Sequence, residues 1–136
     1  MNSEVPVSNR PLHIPSGTSP IFAFGEHQFR FLATSEDTGG SYSAMEIVSP
    51  QESGPGPHTH DDAEEHFLVL EGEVDFHVGQ QAFLVKAGDF IHVPRGVIHQ
   101  FTVRAPHAKM IATYTPAGEE QGFIDAATPL STPPRT

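Results

Sequence analysis

The sequence predicts an all-β fold, an antiparallel sandwich or barrel with one short C-terminal helix. Three observations predict it. Short runs rich in β-branched and aromatic residues recur at even spacing with turn residues between them, as in antiparallel sandwiches and barrels. Only one stretch reads as helical, and no segment repeats another. The chain has 136 residues, enough for one sizeable core but not for two.

Residues 1–20 open with "MNSEVPVSNRPLHIPSG", which carries prolines and little periodicity, and read as an N-terminal arm. The folded body is expected from Ile21 to Ala126. Its strands are "HQFRFLAT" (27–34), "SYSAMEIVSP" (41–50), "HFLVLEGEVDFHVG" (66–79), "QAFLVKAG" (81–88), "DFIHVPRG" (89–96), "HQFTVR" (99–104) and "KMIATYTP" (109–116). The third run is too long for one flat strand, and Glu71-Gly72-Glu73 is where it should bend or turn. Phe67, Leu68, Val69 and Leu70 are consecutive, which predicts burial on both faces. One face would meet the interior; the other would meet the second sheet, a terminal arm or a partner subunit. "PAGEEQGFIDAATP" (116–129) reads as the helix, with Glu119 and Glu120 suited to its start and Phe123 and Ile124 forming a small apolar face. Residues 127–136 read as a flexible tail, again proline-rich.

A net charge of −10 with only seven Lys and Arg argues against a nucleic-acid partner and against an anionic membrane surface. No apolar run is long enough to span a bilayer and no signal-peptide pattern opens the chain, so a soluble cytoplasmic protein is expected. The absence of cysteine excludes disulfides, thiolate metal sites and cysteine nucleophiles. Any metal must be held by imidazole and carboxylate, and nine histidines offer the material.

They concentrate in "HTHDDAEEH" (58–66). His58 and His60 stand at i and i+2 of a stretch that Pro55 and Pro57 keep from being helical, so both imidazoles can point to one side. Glu65 begins the next strand and His99 begins a later one. Together they make a set of three imidazoles and one carboxylate. Such a set suits one divalent transition metal, Fe, Mn, Ni, Co, Cu or Zn, without choosing among them. Because neighbouring strand residues face opposite ways, His66 should point away from the metal, with Asp61, Asp62 and Glu64 in a solvent-facing loop. His66, His77 and His92 read as structural histidines, and His13, His27 and His107 as surface ones. By alternation Phe67 shares a face with Glu65 and Phe101 with His99, which makes these two the candidate substrate-pocket residues. Scans for phosphate-binding loops, nucleophile elbows and metalloprotease helices find nothing.

These residues also carry a family pattern. The chain resembles the cupins, whose first motif is G-x5-H-x-H-x3or4-E-x6-G. His58, His60, Glu65 and Gly72 fit it, and the count back from Gly72 lands on Glu65 rather than Glu64. The leading glycine is replaced by Glu52, with Gly54 and Gly56 nearby. The second motif is G-x5-P-x-G-x2-H-x3-N. Gly88, Pro94, Gly96 and His99 fit it, and Val103 stands where the asparagine would be. The resemblance covers about Ser41 to Pro116 and implies a cupin-type antiparallel barrel, or jelly roll.

"GPGPHTHDDAEEHFLVLEGEV" and "YTPAGEEQGF" are most similar to single-domain cupins related to quercetin 2,3-dioxygenase. That resemblance implies a metal-dependent dioxygenase acting with O₂ on a flavonol-like or enolic small molecule. His58, His60, Glu65 and His99 would hold the metal, and Glu65 would be the catalytic base. It also implies a homodimer. The same ligands would serve an oxygen-independent isomerase, lyase or decarboxylase, or a non-catalytic small-molecule-binding cupin.

Overall fold

The computed structural model describes residue 6 and residues 9–131. Two antiparallel sheets are formed, the jelly-roll arrangement expected from the sequence, packed as two layers. In chain order the strands are β1 (Ile21–Phe24), β2 (His27–Ala33), β3 (Ser43–Pro50), β4 (Glu64–Glu71), β5 (Glu73–Val78), β6 (Gln81–Lys86), β7 (Phe90–Val93), β8 (His99–Val103), β9 (His107–Thr115) and β10 (Thr128–Ser131). Helix α1 (Ser35–Thr38) follows β2 and helix α2 (Glu120–Ala126) follows β9. The larger sheet runs β10-β1-β2-β3-β9-β4-β7 and the smaller β6-β5-β8.

Alternation makes the core. Every second residue of β3, β8 and β9, and of β4 as far as Val69, is buried, so Met45, Ile47, Phe67, Val69, Phe101, Val103, Met110 and Ala112 meet between the layers. Phe67 of the large sheet packs on Phe76 and Phe101 of the small one, with ring centroids 4.9 and 5.8 Å away. The long apolar run breaks where expected. Gly72 adopts φ 91°, and a Cβ there would lie 2.3 Å from the His107 carbonyl oxygen, so only glycine lets β4 pass into β5.

The second face of β4 is not covered: Leu68 and Leu70 are 38% and 41% exposed. Glu64 lies in β4 rather than in the preceding loop. The C-terminal boundary also moves. Residues Thr128–Ser131, expected in a tail, pair with β1 as β10, with Phe22 opposite Pro129. Proline has no N–H to donate, and the edge of the sheet is where that loss is tolerated. Residues 132–136 of the expected tail, and 1–5, 7 and 8 of the expected arm, lie outside the described residues. From Pro11 to Pro20 the arm forms no helix or strand. No helix among the described residues is long and apolar enough to cross a membrane.

Candidate metal centre and its cavity

Three pieces of chain bring the four sequence-predicted donors together. His58 and His60 lie on the extended segment before β4. Glu65 is the second residue of β4 and His99 the first of β8. Backbone pairing fixes the arrangement: His58 N–H donates to the His99 carbonyl (3.0 Å), and His99 N–H returns the bond (2.9 Å). The Gly96 N–H donates to the His60 carbonyl at 2.9 Å, tying the turn before β8 to the same segment. The donor atoms of His58, His60, Glu65 and His99 all lie within 4.8 Å of one another, close enough to hold one metal ion.

The imidazoles are oriented alike. Nδ1 of His58 faces the Gly56 carbonyl (2.8 Å), Nδ1 of His99 the Val97 carbonyl (2.9 Å) and Nδ1 of His60 the Glu119 carboxylate (2.7 Å). Each acceptor is an oxygen, so each Nδ1 carries the hydrogen and each Nε2 keeps a lone pair. Nε2 of His99 and of His60 then face Glu65 Oε1 at 3.2 and 3.5 Å, and the buried His60 Nε2 has no hydrogen-bond partner. Lone pairs directed at a carboxylate oxygen repel unless a cation stands between them. The donor set therefore fits a divalent metal, with Gly56, Val97 and Glu119 as the supports that orient its ligands.

Burial by itself would raise the Glu65 pKa. The neighbouring His60 and His99 imidazoles and the Tyr114 hydroxyl outweigh it and hold the carboxyl below its ordinary range. Tyr114, buried beside that charge, is pushed well above the usual phenol value by burial and by Glu65, so it stays a hydroxyl that donates to the carboxylate. The carboxylates of Glu65 and then Glu119 raise His60 against the effect of burial, whereas burial lowers His58.

A cavity of about 380 Å³ opens onto this centre. His58, Glu65 and Tyr114 contribute its polar end, and Phe67 and Phe101, the two expected pocket residues, both line it. Further lining residues escaped the sequence reading, among them Phe24, Phe123 and His27. Phe24 and Phe123 close the far wall, their rings 5.6 Å apart and edge to face. His27, expected at the surface, instead lines the cavity, with Nδ1 2.6 Å from Ser49 Oγ and its ring against Phe101. Burial lowers its pKa, opposed by the charge of Glu26, so it is neutral near pH 7. Strand alternation could have flagged it, since Phe29, two residues on, is core. Glu119 and Tyr114 were also missed as site residues. His66 points away from the metal centre, while His77 and His92, expected among buried structural histidines, are exposed.

The two departures from the motifs have different consequences. Glu52 keeps the left-handed conformation that suits a glycine, at φ 64°. Val103 is fully buried, and its N–H and carbonyl bond to Ser53 and Glu52 at 2.9 Å each, so the position has become core. Gly54, not Gly56, allows close approach: a Cβ on Gly54 would sit 1.8 Å from the Phe101 carbonyl oxygen.

Two antiparallel layers with these donors at one end define a cupin site, and residues 44–114 match the Cupin domain family; the chain belongs to it. It is 26% identical to quercetin 2,3-dioxygenase of Bacillus subtilis (strain 168) over 121 residues, 89% of this chain and 36% of that protein. The chain spans about a third of the length of the curated relatives it matches. Among solved structures it is similar to an RmlC-like cupin from Shewanella frigidimarina NCIMB 400, with TM-score 0.73, 21% identity, and coverage of 84% of this chain and 98% of that one. It is also similar to a predicted oxalate decarboxylase from Thermotoga maritima, with TM-score 0.69, 20% identity, and coverage of 77% and 99%.

Proposed function

We propose that the protein is a metal-dependent dioxygenase of the quercetinase-like type, acting on a flavonol-like or enolic small molecule. The observation that carries this reading is the aromatic-walled cavity ending at Glu65 and the imidazoles clustered with it. Its volume of about 380 Å³ falls among small-molecule sites, which run roughly 300–1,000 Å³. A divalent metal held by His58, His60, Glu65 and His99 would supply Lewis acidity at a substrate oxygen. Phe67 and Phe101 would hold a flat ring and keep water from it. Glu65 would accept the substrate's hydroxyl proton, and the Tyr114 hydroxyl would fix the carboxylate while it does so.

The test is anaerobic binding followed by oxygen. Metal-loaded protein should bind a flavonol without oxygen, shift its absorption, and consume O₂ on mixing. No uptake across flavonols and related enols overturns the reading. Turnover without O₂ would replace it with an isomerase, lyase or decarboxylase, and tight binding without turnover with a binding protein. The homodimer that the resemblance implies belongs to the same proposal, with the uncovered Leu68 and Leu70 as its support. Light scattering at micromolar concentration should give twice the chain mass.

A further inference from the structure

We propose a second metal site, on the opposite face of β4 from the first, formed by Glu64, His66 and His92. Glu64 and His66 stand at i and i+2 of β4 and so share its outer face. His92 on β7 is the direct cross-strand partner of His66, and the two rings stack with centroids 5.2 Å apart. One ligand atom from each of the three residues lies within 4.8 Å of the others. Two imidazoles and a carboxylate on one sheet face can bind a borderline divalent ion such as Zn²⁺, Ni²⁺ or Cu²⁺, with water completing the shell.

The ring of His66 is already held in place. Its Nδ1 lies 3.1 Å from Thr113 Oγ1 on β9, and its Nε2 lies 3.0 Å from Glu64 Oε1. The threonine hydroxyl both donates and accepts, so Nδ1 keeps its partner whichever nitrogen carries the hydrogen. A metal can therefore take the Nε2 hydrogen's place without turning the ring, and Thr113 orients the ligand as such supports do. In the single chain the pair is only partly covered, with side-chain exposures of 19% for His66 and 41% for Glu64, and His92 is exposed, so an ion can enter from solvent; Leu68 and Leu70, the proposed dimer contact, lie further along the same face. Because β7, among the described residues, is the edge of its sheet and pairs only with β4, an ion here would pin that edge.

The site is independent of the catalytic proposal, because Glu64 and Glu65 face opposite ways. Equilibrium dialysis against Zn²⁺, with elemental analysis of the protein, separates the two. The wild type should bind two equivalents. His92→Ala and Glu64→Gln should each retain one, while His107→Ala, altering an exposed histidine elsewhere, should keep both. His99→Ala should keep the outer equivalent and lose the inner; if it does not fold, His58→Ala replaces it. His92 is exposed, so its loss leaves no buried void. An equivalent lost in His92→Ala and Glu64→Gln but kept in His99→Ala supports the site even if the inner centre stays empty, and a metal content that His92→Ala and Glu64→Gln leave unchanged overturns the proposal.

Discussion

Each imidazole of the inner site gives one nitrogen to an oxygen of the protein, and that decides what the other nitrogen can do. His60 depends most on a distant partner, since its Nδ1 is held by Glu119, 59 residues away in sequence. Glu119→Gln keeps an acceptor but loses the charge, and such supports typically carry about 10–100-fold in metal affinity. A loss of roughly 10-fold is expected in competition with a chromogenic chelator, and an unchanged affinity would remove Glu119 from the site. Glu52 offers a prediction of opposite sign. A left-handed L-residue costs roughly 1–2 kcal/mol, offset only in part by its exposed ion pair with Arg104. Glu52→Gly should stabilise the protein by at most about 1 kcal/mol after glycine's extra entropy is counted, read as a higher urea midpoint. The cluster of four candidate donors was legible in the sequence because spacing and strand alternation are local rules. Tyr114 and His27 were not, since each reaches the site through sheet pairing, nor was Glu119, which the turn before α2 brings to His60; no short window contains either relation.

At the level of elements, the same division holds. The central strands showed themselves by alternation over several residues. The four-residue strands β1 and β10 did not, because strands so short persist only through the partners that bind them. The helix was expected over 116–129 and is confined to Glu120–Ala126. Glu119 precedes it and serves His60, while Glu120 accepts hydrogen bonds from the backbone N–H groups of Ser35 (2.7 Å) and Gly118 (2.8 Å). Burial opposes the charge on Glu120, but these bonds win and lower its pKa. A lowered carboxyl pKa adds stability above the unfolded value of about 4.3 and loses it as pH falls through the folded value. Glu120→Gln should therefore destabilise the protein near neutrality, by about 1–3 kcal/mol for a charge-assisted bond. The difference from wild type should shrink below about pH 4.3, and a gap independent of pH would refute the account. Gly54 governs β8 in the same way, because its hydrogen faces the Phe101 carbonyl. Gly54→Ala must push that strand away, costing about 1–3 kcal/mol as other overpacked sites do. It should also lower metal content, since His99 begins the displaced strand.

For the molecule as a whole, the donor set joins parts that the chain keeps far apart. Glu65 belongs to the large sheet, His99 to the small one, and His58 and His60 to the segment that passes between them. A two-layer core and one centre at its end could be foreseen from the sequence, but the joining of β3 to β9 and of β5 to β8 could not, because pairing between distant strands leaves no local periodicity. A metal bound by donors from both layers binds only the folded state, so it must stabilise that state by mass action. At a free metal concentration 100 times Kd the gain is about 2.7 kcal/mol, which for a chain of this size is roughly 10 °C in Tm. Thermal unfolding with and without a strong chelator should show that difference in the wild type. His92→Ala should keep most of it, because the two layers remain joined through the inner donors. His99→Ala should lose most of it, because the small sheet then contributes no ligand. Equal melting temperatures for metal-loaded and chelated wild type would mean that the four donors do not act together as a metal centre.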